Sequence, residues 1–188
     1  MSTYSFYQTT IPQLRGMAKS AVTFLTAAKD EQSKNSSLPS DVDILNAQIG
    51  DMASMRAQPI LLGRFCLEGI NNHKLSSASS PKMDPSSFSS IDDVINFFRQ
   101  LIAVYDAIDE KAFNESAEKS FDVSIAGKSL KITSMADFYN SFVIPNSYFH
   151  LNAMYMLLRG KGFTLGKGTY VRAFFSEQTR KDLAPLMG

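Results

Sequence analysis

Helical periodicity is the feature that most limits what this chain can fold into. Apolar residues recur at three- and four-residue spacing in four long stretches, each of which must bury its apolar stripe against another helix. We predict helices from about Tyr7 to Asp30, from Asp41 to Asn71–Asn72, from Ser90 to about Ile108 and from Ser134 to Gly160. Four such helices joined by polar segments predict an all-α fold, an up-down four-helix bundle.

The period changes once, between the third and fourth helices. Residues Phe121–Ile125 and Leu130–Thr133 alternate between apolar and polar side chains, and Ala126–Lys128 lies between them. Two alternating runs around a glycine-containing turn predict a small β-hairpin. A short helix is expected to begin at Ser176 in the C-terminal tail.

Composition is that of an ordinary soluble globular protein, with 44% hydrophobic and 20% charged residues in 188. We expect a single domain over residues 1–188. The net charge of +1 gives no field that favours nucleic acid or a membrane surface, so neither is expected as a partner. No apolar run approaches the ~20 residues of a spanning helix. The start of the chain has no apolar signal core, and Cys66 is the only cysteine. These features predict a cytoplasmic protein.

The predicted fourth helix contains two residues that disfavour a buried helix. Pro145 removes a backbone donor at a cost of roughly 3 kcal/mol, and His150 lies on the apolar face, where its ring nitrogens need partners. Asn146 lies one turn from His150 on the same stripe. On the predicted second helix, Asp51 and Gln58 fall among core residues.

We therefore expect Asp51, Gln58, Asn146 and His150 to point into one bundle interior, and Pro59 to kink the second helix beside them. Three interpretations stay open: a buried polar cluster that fixes helix register, a ligand pocket, or a metal site. The metal interpretation is short of ligands, because the residue four positions after His150 is a methionine.

Tyr155 lies on the opposite stripe of the same helix and is included as a pocket-lining candidate. That stripe is compatible with a solvated face, a loop anchor or a dimer contact.

The fourth-helix motif resembles the signature of an uncharacterised family, catalogued as domain of unknown function 1993. The resemblance is carried by Ile144–His150, Ala153–Tyr155, Leu157–Arg159, Gly162 and Leu165–Lys167, with Asp51–Met52, Arg56 and Gln58 on the second helix. It covers roughly residues 1–172 and leaves 173–188 as a C-terminal tail.

That family is similar to the DinB-like/YfiT-like superfamily of four-helix bundles, whose members are often dimeric. They typically bind a divalent metal through three histidines, one on the second helix and two on the fourth, and some are thiol-dependent transferases or isomerases. In this chain only His150 matches, and Gln58 stands in the region of the second-helix histidine. The resemblance therefore implies a bundle with a central pocket and a degenerate metal site.

Two functions follow as expectations. The first is a small-molecule-binding or structural protein with a degenerate metal site. The alternative is a metal-dependent transferase- or isomerase-type enzyme that uses His150, with Asp51 or Asn146 assisting. No cofactor is expected in the first case; if a divalent metal binds, His150 is its only plausible ligand. The candidate partners are a small-molecule ligand and a second copy of the chain, as a homodimer.

Overall fold

The computed structural model describes residues 4–186. In chain order its helices are α1 (Phe6–Gln32), α2 (Asp41–Asn46), α3 (Gln58–Asn72), α4 (Ile91–Asp106), α5 (Glu110–Glu115), α6 (Met135–Phe138), α7 (Ile144–Gly160), α8 (Lys167–Val171) and α9 (Glu177–Asp182). A hairpin of β1 (Phe121–Ile125) and β2 (Lys128–Ile132) lies between α5 and α6. Single 3₁₀ turns occur at Pro85–Ser87, Arg172–Phe174 and Ala184–Leu186.

The four long helices pack as a bundle around one apolar core. Helix α1 contacts α4 and α7, and α3 contacts the same two helices from the other side. Each helix contributes side chains with almost no exposed surface, among them Leu14, Phe24, Leu62, Phe98 and Met154. The predicted helical bundle with a small hairpin is therefore confirmed.

Serine residues are the N-caps of several helices. Ser5, Ser40 and Ser90 each accept a hydrogen bond from the backbone N–H three residues later, and the side chain at that later position bonds back. These capping boxes satisfy donors that a helix start leaves unpaired. They fix where α1, α2 and α4 begin. The cap of α2 is Ser40, directly before Asp41, where the second helix was predicted to begin.

The predicted second helix is two helices, so the expectation that Pro59 kinks a continuous helix is wrong. Helix α2 ends at Asn46 and α3 begins only at Gln58. The backbone becomes extended at Ala47, directly after α2, and Gly50 on the loop between the two helices has a φ of +56°, a left-handed conformation that glycine adopts readily. Pro59 lies in the first turn of α3, where its missing N–H would have had no partner in any case.

The predicted fourth helix is continuous from α6 to α7 but contains a wider turn. Residues Tyr139–Val143 form a π-helical turn directly before Pro145, and the N–H of Ile144 donates to the carbonyl of Tyr139, five residues back. A π turn holds one more residue than an α turn. The side-chain hydroxyl of Ser141 donates to the carbonyl of Asp137 at 2.6 Å within this region.

The hairpin is antiparallel, with Phe121 opposite Ile132 and Ile125 opposite Lys128. Its two turn residues, Ala126 and Gly127, both have positive φ, which is the requirement of a tight type I′ turn. The hairpin confirms the change of period seen in the sequence, with its second strand beginning two residues earlier than predicted.

After α7 the chain returns along α1. Helix α8 and the 3₁₀ turn that follows it both pack on α1, and Ser176 caps α9 as predicted. Among residues 4–186, none of the helices combines the length and the apolar character that crossing a bilayer requires.

Candidate functional site

The structure brings Gln58, Asn146 and His150 together where α7 lies against the start of α3. The Nδ1 atom of His150 is 2.7 Å from Oε1 of Gln58. The Nδ2 atom of Asn146 donates to the carbonyl of Leu61 at 3.1 Å. Three of the four polar residues predicted for the bundle interior therefore meet at one helix pair.

Asp51 does not join them. It lies on the loop between α2 and α3 with its side chain exposed, because the helix that was expected to carry it inward ends at Asn46. The prediction that its carboxylate points into the interior is therefore wrong.

Further polar contacts extend this arrangement along the two helices. The hydroxyl of Ser147 donates to the carbonyl of Leu62 at 3.0 Å, and the hydroxyl of Tyr139 donates to the carbonyl of Cys66. We call the four pairs the α3–α7 seam: Gln58–His150, Leu61–Asn146, Leu62–Ser147 and Cys66–Tyr139. Residue numbers rise along α3 while those of the partners on α7 and the π turn fall, so the two helices are antiparallel. The four contacts fix the register of one helix against the other.

Sequence reasoning missed Tyr139 and Ser147 as polar members of the seam. Tyr139 is fully buried, and Gly69 on α3 leaves room for it: a Cβ at Gly69 would lie 2.7 Å from the Tyr139 hydroxyl. A glycine inside an apolar helix was the available signal, since such glycines often mark a close approach.

Gln58 determines which ring nitrogen of His150 carries the proton. Its side chain is buried, and its Nε2 donates to the carbonyl of Ala53 at 2.6 Å, so its Oε1 faces the imidazole. An amide oxygen can only accept, so Nδ1 of His150 must be the donor. The neutral ring then carries its lone pair on Nε2, which forms no hydrogen bond to any residue within 4–186.

Burial keeps that ring uncharged. Desolvation lowers the pKa of His150 to about 4, since removing an imidazole from water disfavours its cation. No carboxylate among the described residues forms an ion pair with it. At neutral pH, His150 is therefore an acceptor with a defined tautomer.

An exposed aromatic ring lies beside this acceptor. Phe149 is 56% exposed, and its ring meets the imidazole edge-on at a centroid distance of 5.3 Å. An apolar ring and a hydrogen-bond acceptor are thus offered side by side on α7.

The donor set at His150 does not fit the three-histidine metal site implied by the resemblance. Within residues 4–186, no three side chains of His, Cys, Asp or Glu lie close enough to hold a metal ion together. Gln58 already uses its oxygen to accept from Nδ1, and Asn146 uses its amide nitrogen on α3. A metal at Nε2 would have one protein ligand of a kind that metals favour.

Tyr155 lies apart from the seam. Its hydroxyl donates to the carbonyl of Leu165 at 2.7 Å, and its ring packs edge-on against Phe24 and Tyr170. Of the alternatives for its stripe, these contacts are those of a loop anchor that holds the segment after α7. Tyr155 also borders a mainly apolar depression of about 380 Å³ beside Met156.

Comparison with known protein families identifies the family of this chain. The model of a family described as "Domain of unknown function (DUF1993)" matches residues 6–171. The chain belongs to this family. The match confirms the resemblance carried by the fourth-helix motif. No curated protein matches the chain.

A solved structure shares the fold of this DUF1993 protein. The crystal structure of a DinB family member protein from Shewanella denitrificans aligns with a TM-score of 0.65 and 22% sequence identity, over 88% of this chain and 90% of that one. At this identity the likeness shows the fold: the chain is a DinB-like helical bundle.

Proposed function

We propose that this DUF1993 protein binds a small molecule through the Nε2 atom of His150. The observation that carries the proposal is the chain of hydrogen bonds from the Ala53 carbonyl through Gln58 to Nδ1 of His150. Because one bond orients Gln58 and the other holds the ring and selects its tautomer, the acceptor at Nε2 is preorganised before any ligand arrives.

The chemistry of the site defines the ligand class. A neutral Nε2 accepts a hydrogen bond from an O–H, N–H or S–H group, and the neighbouring Phe149 ring offers apolar contact. The ligand is therefore a small molecule with a donor next to an apolar or aromatic part. With a pKa of about 4, the imidazole is a weak base at neutral pH, which favours binding over general-base catalysis.

One observation favours a second candidate, the metal-dependent transferase- or isomerase-type enzyme. Histidines that bind metals usually donate their other N–H to an oxygen, as Nδ1 of His150 does to Gln58. This function needs further ligands from the substrate or from a second copy of the chain. A homodimer is a prediction compatible with the exposed Phe149 and Met156 on α7.

Phenol and anisole form a matched pair of probes, since both carry the aromatic ring but only phenol has a donor. We expect phenol to shift the ring resonances of His150 saturably in NMR titrations, anisole to have little effect, and His150→Gln to abolish phenol binding. His73→Gln, which replaces the chain's other histidine, should bind phenol normally.

Equal responses to phenol and anisole, or unchanged phenol binding by His150→Gln, would contradict the proposal. A zinc titration separates the second candidate: saturable zinc binding that depends on His150, without any response to phenol, would favour the enzyme.

A further inference from the structure

A second concave surface lies away from the seam, between α1 and the C-terminal segment. This cleft has a volume of about 440 Å³ and is walled by α1, by Asp106 at the end of α4, and by residues 173–176 and 180. None of its lining residues belongs to the α3–α7 seam, so it is independent of the function proposed for His150. Its size is within the usual range for small-ligand sites.

The cleft has an excess of positive charge. Four charged side chains line it: Arg15, Lys19, Asp106 and Arg180. Arg15 and Asp106 neutralise each other through a two-pronged ion pair, in which Nη2 of Arg15 is 3.0 Å from Oδ2 of Asp106. Within residues 4–186, Lys19 and Arg180 form no ion pair, so two positive charges are left uncompensated.

Lys19 is partly removed from water and is repelled by the neighbouring arginines. The pKa of Lys19 is lowered, chiefly by desolvation and then by the charge of Arg15, with Asp106 opposing and Arg180 adding to the shift. Repulsion of this kind is relieved when an anion enters between the cations.

Close packing of Phe174 forms the wall of the cleft that faces α1. Gly16 on α1 allows the ring of Phe174 to approach so closely that a Cβ there would lie 2.6 Å from the ring. Phe174 also stacks on Tyr148 and Tyr170, and the hydroxyl of Ser20 donates to the carbonyl of Tyr170 at 2.9 Å. The segment that carries Phe175 and Arg180 is thus held against the bundle.

Part of this wall is not shared with the family model. The family match ends at residue 171, whereas Phe174, Phe175 and Arg180 follow it. The cleft therefore combines the family's α1 with a C-terminal segment outside the matched region.

We propose that this cleft binds a small organic dianion, with its acidic group between Lys19 and Arg180 and its apolar part against Phe174 and Phe175. Two cations on opposite walls suit a doubly charged oxyacid, and charge-assisted hydrogen bonds to both are the strong kind. A phosphate monoester and an aromatic dicarboxylate share this chemistry.

Phenyl phosphate and phthalate are the probes, with inorganic phosphate and phenol as the separated parts of the first. Isothermal titration of the full chain at low salt should show saturable binding of phenyl phosphate or phthalate, weakened by added salt. The one that binds more tightly identifies the acidic group. Lys19→Gln and Arg180→Gln should each weaken binding about tenfold or more, since each removes a charge-assisted hydrogen bond to the dianion.

Lys181→Gln is the matched control, because Lys181 is the exposed neighbour of Arg180 on α9 and does not line the cleft. It should bind as the wild type does. The proposal is overturned if neither dianion binds at millimolar concentration, or if Lys181→Gln weakens binding as much as Arg180→Gln. In the His150→Gln variant, which lacks the phenol site proposed above, phenol binding as tightly as phenyl phosphate would exclude an anion site. Inorganic phosphate binding as tightly as phenyl phosphate would exclude the apolar contact.

Discussion

The lowered pKa of His150 makes the stability of the protein depend on pH in a way that one substitution can isolate. The imidazole has an ordinary pKa of 6.5, and burial lowers it to about 4 in the folded protein. Between these two values the unfolded chain binds a proton that the folded chain does not. The contribution of His150 to the free energy of unfolding is therefore highest above about pH 6.5 and falls as the pH is lowered from there to about 4.

The size of this loss follows from the shift. Each pKa unit corresponds to about 1.36 kcal/mol, but the ring is only partly buried and water screens it, so we expect about 1–2 kcal/mol. His150→Gln removes the titrating group. The variant should lose about 1–2 kcal/mol less than the wild type between pH 7.5 and pH 4.

Urea unfolding, followed by circular dichroism at pH 7.5 and pH 4, measures this difference. Carboxylates that titrate near pH 4 are the same in both proteins, so their contributions to the loss cancel when the two are compared. The pKa of His73 is also lowered, by burial and then by Lys119, so His73→Gln measures that separate contribution. Equal losses in the wild type and His150→Gln, or an NMR titration midpoint of His150 near 6.5, would refute the reasoning.

Three further predictions concern the packing of α3. Gly69→Ala should destabilise the protein by about 1–3 kcal/mol, seen as a lower melting temperature, because the new Cβ would lie 2.7 Å from the buried Tyr139 hydroxyl. Gly160→Ala, with no atom within 4 Å of the added Cβ, should be nearly neutral. Burial raises the pKa of the Cys66 thiol to about 12, so Ellman's reagent at pH 8 should react with it only after unfolding; reaction in the native state would contradict this. Gln58→Met should lower the free energy of unfolding in urea by about 1–3 kcal/mol, because the carbonyl of Ala53 and Nδ1 of His150 lose their hydrogen-bond partner. Unchanged ¹⁵N shifts of the His150 ring in this variant would contradict the assigned tautomer.

The bundle was predictable because its apolar spacing is strong and local. Helices α1 and α4 follow their stripes closely, and the hairpin follows its alternation. Spacing failed between α2 and α3, where apolar residues such as Met52 and Met55 continue the pattern through a loop. Helix α2 ends where the backbone becomes extended at Ala47, and the loop that follows has a left-handed residue at Gly50. A single glycine in a periodic run does not by itself show that conformation.

The site was predictable in part for the same reason. Asn146 and His150 lie one turn apart on a helix that forms as expected, so their shared face was correct. Asp51 was misplaced because its position depended on a helix that is absent. The bonds of Tyr139 and Ser147 go to backbone carbonyls of α3, and backbone acceptors leave no trace in a residue pattern.

The π turn at Tyr139–Val143 makes this region of the chain sensitive to changes in length. An α-helix rotates by about 100° per residue, and the π turn holds one residue more than an α turn. Deleting one residue there would convert it to an ordinary turn and rotate Tyr139 relative to Asn146 and Ser147. Either Tyr139 or the residues of α7, but not both, could then reach their partners on α3. Related sequences that keep this seam should therefore tolerate substitutions between Tyr139 and Pro145 far better than insertions or deletions.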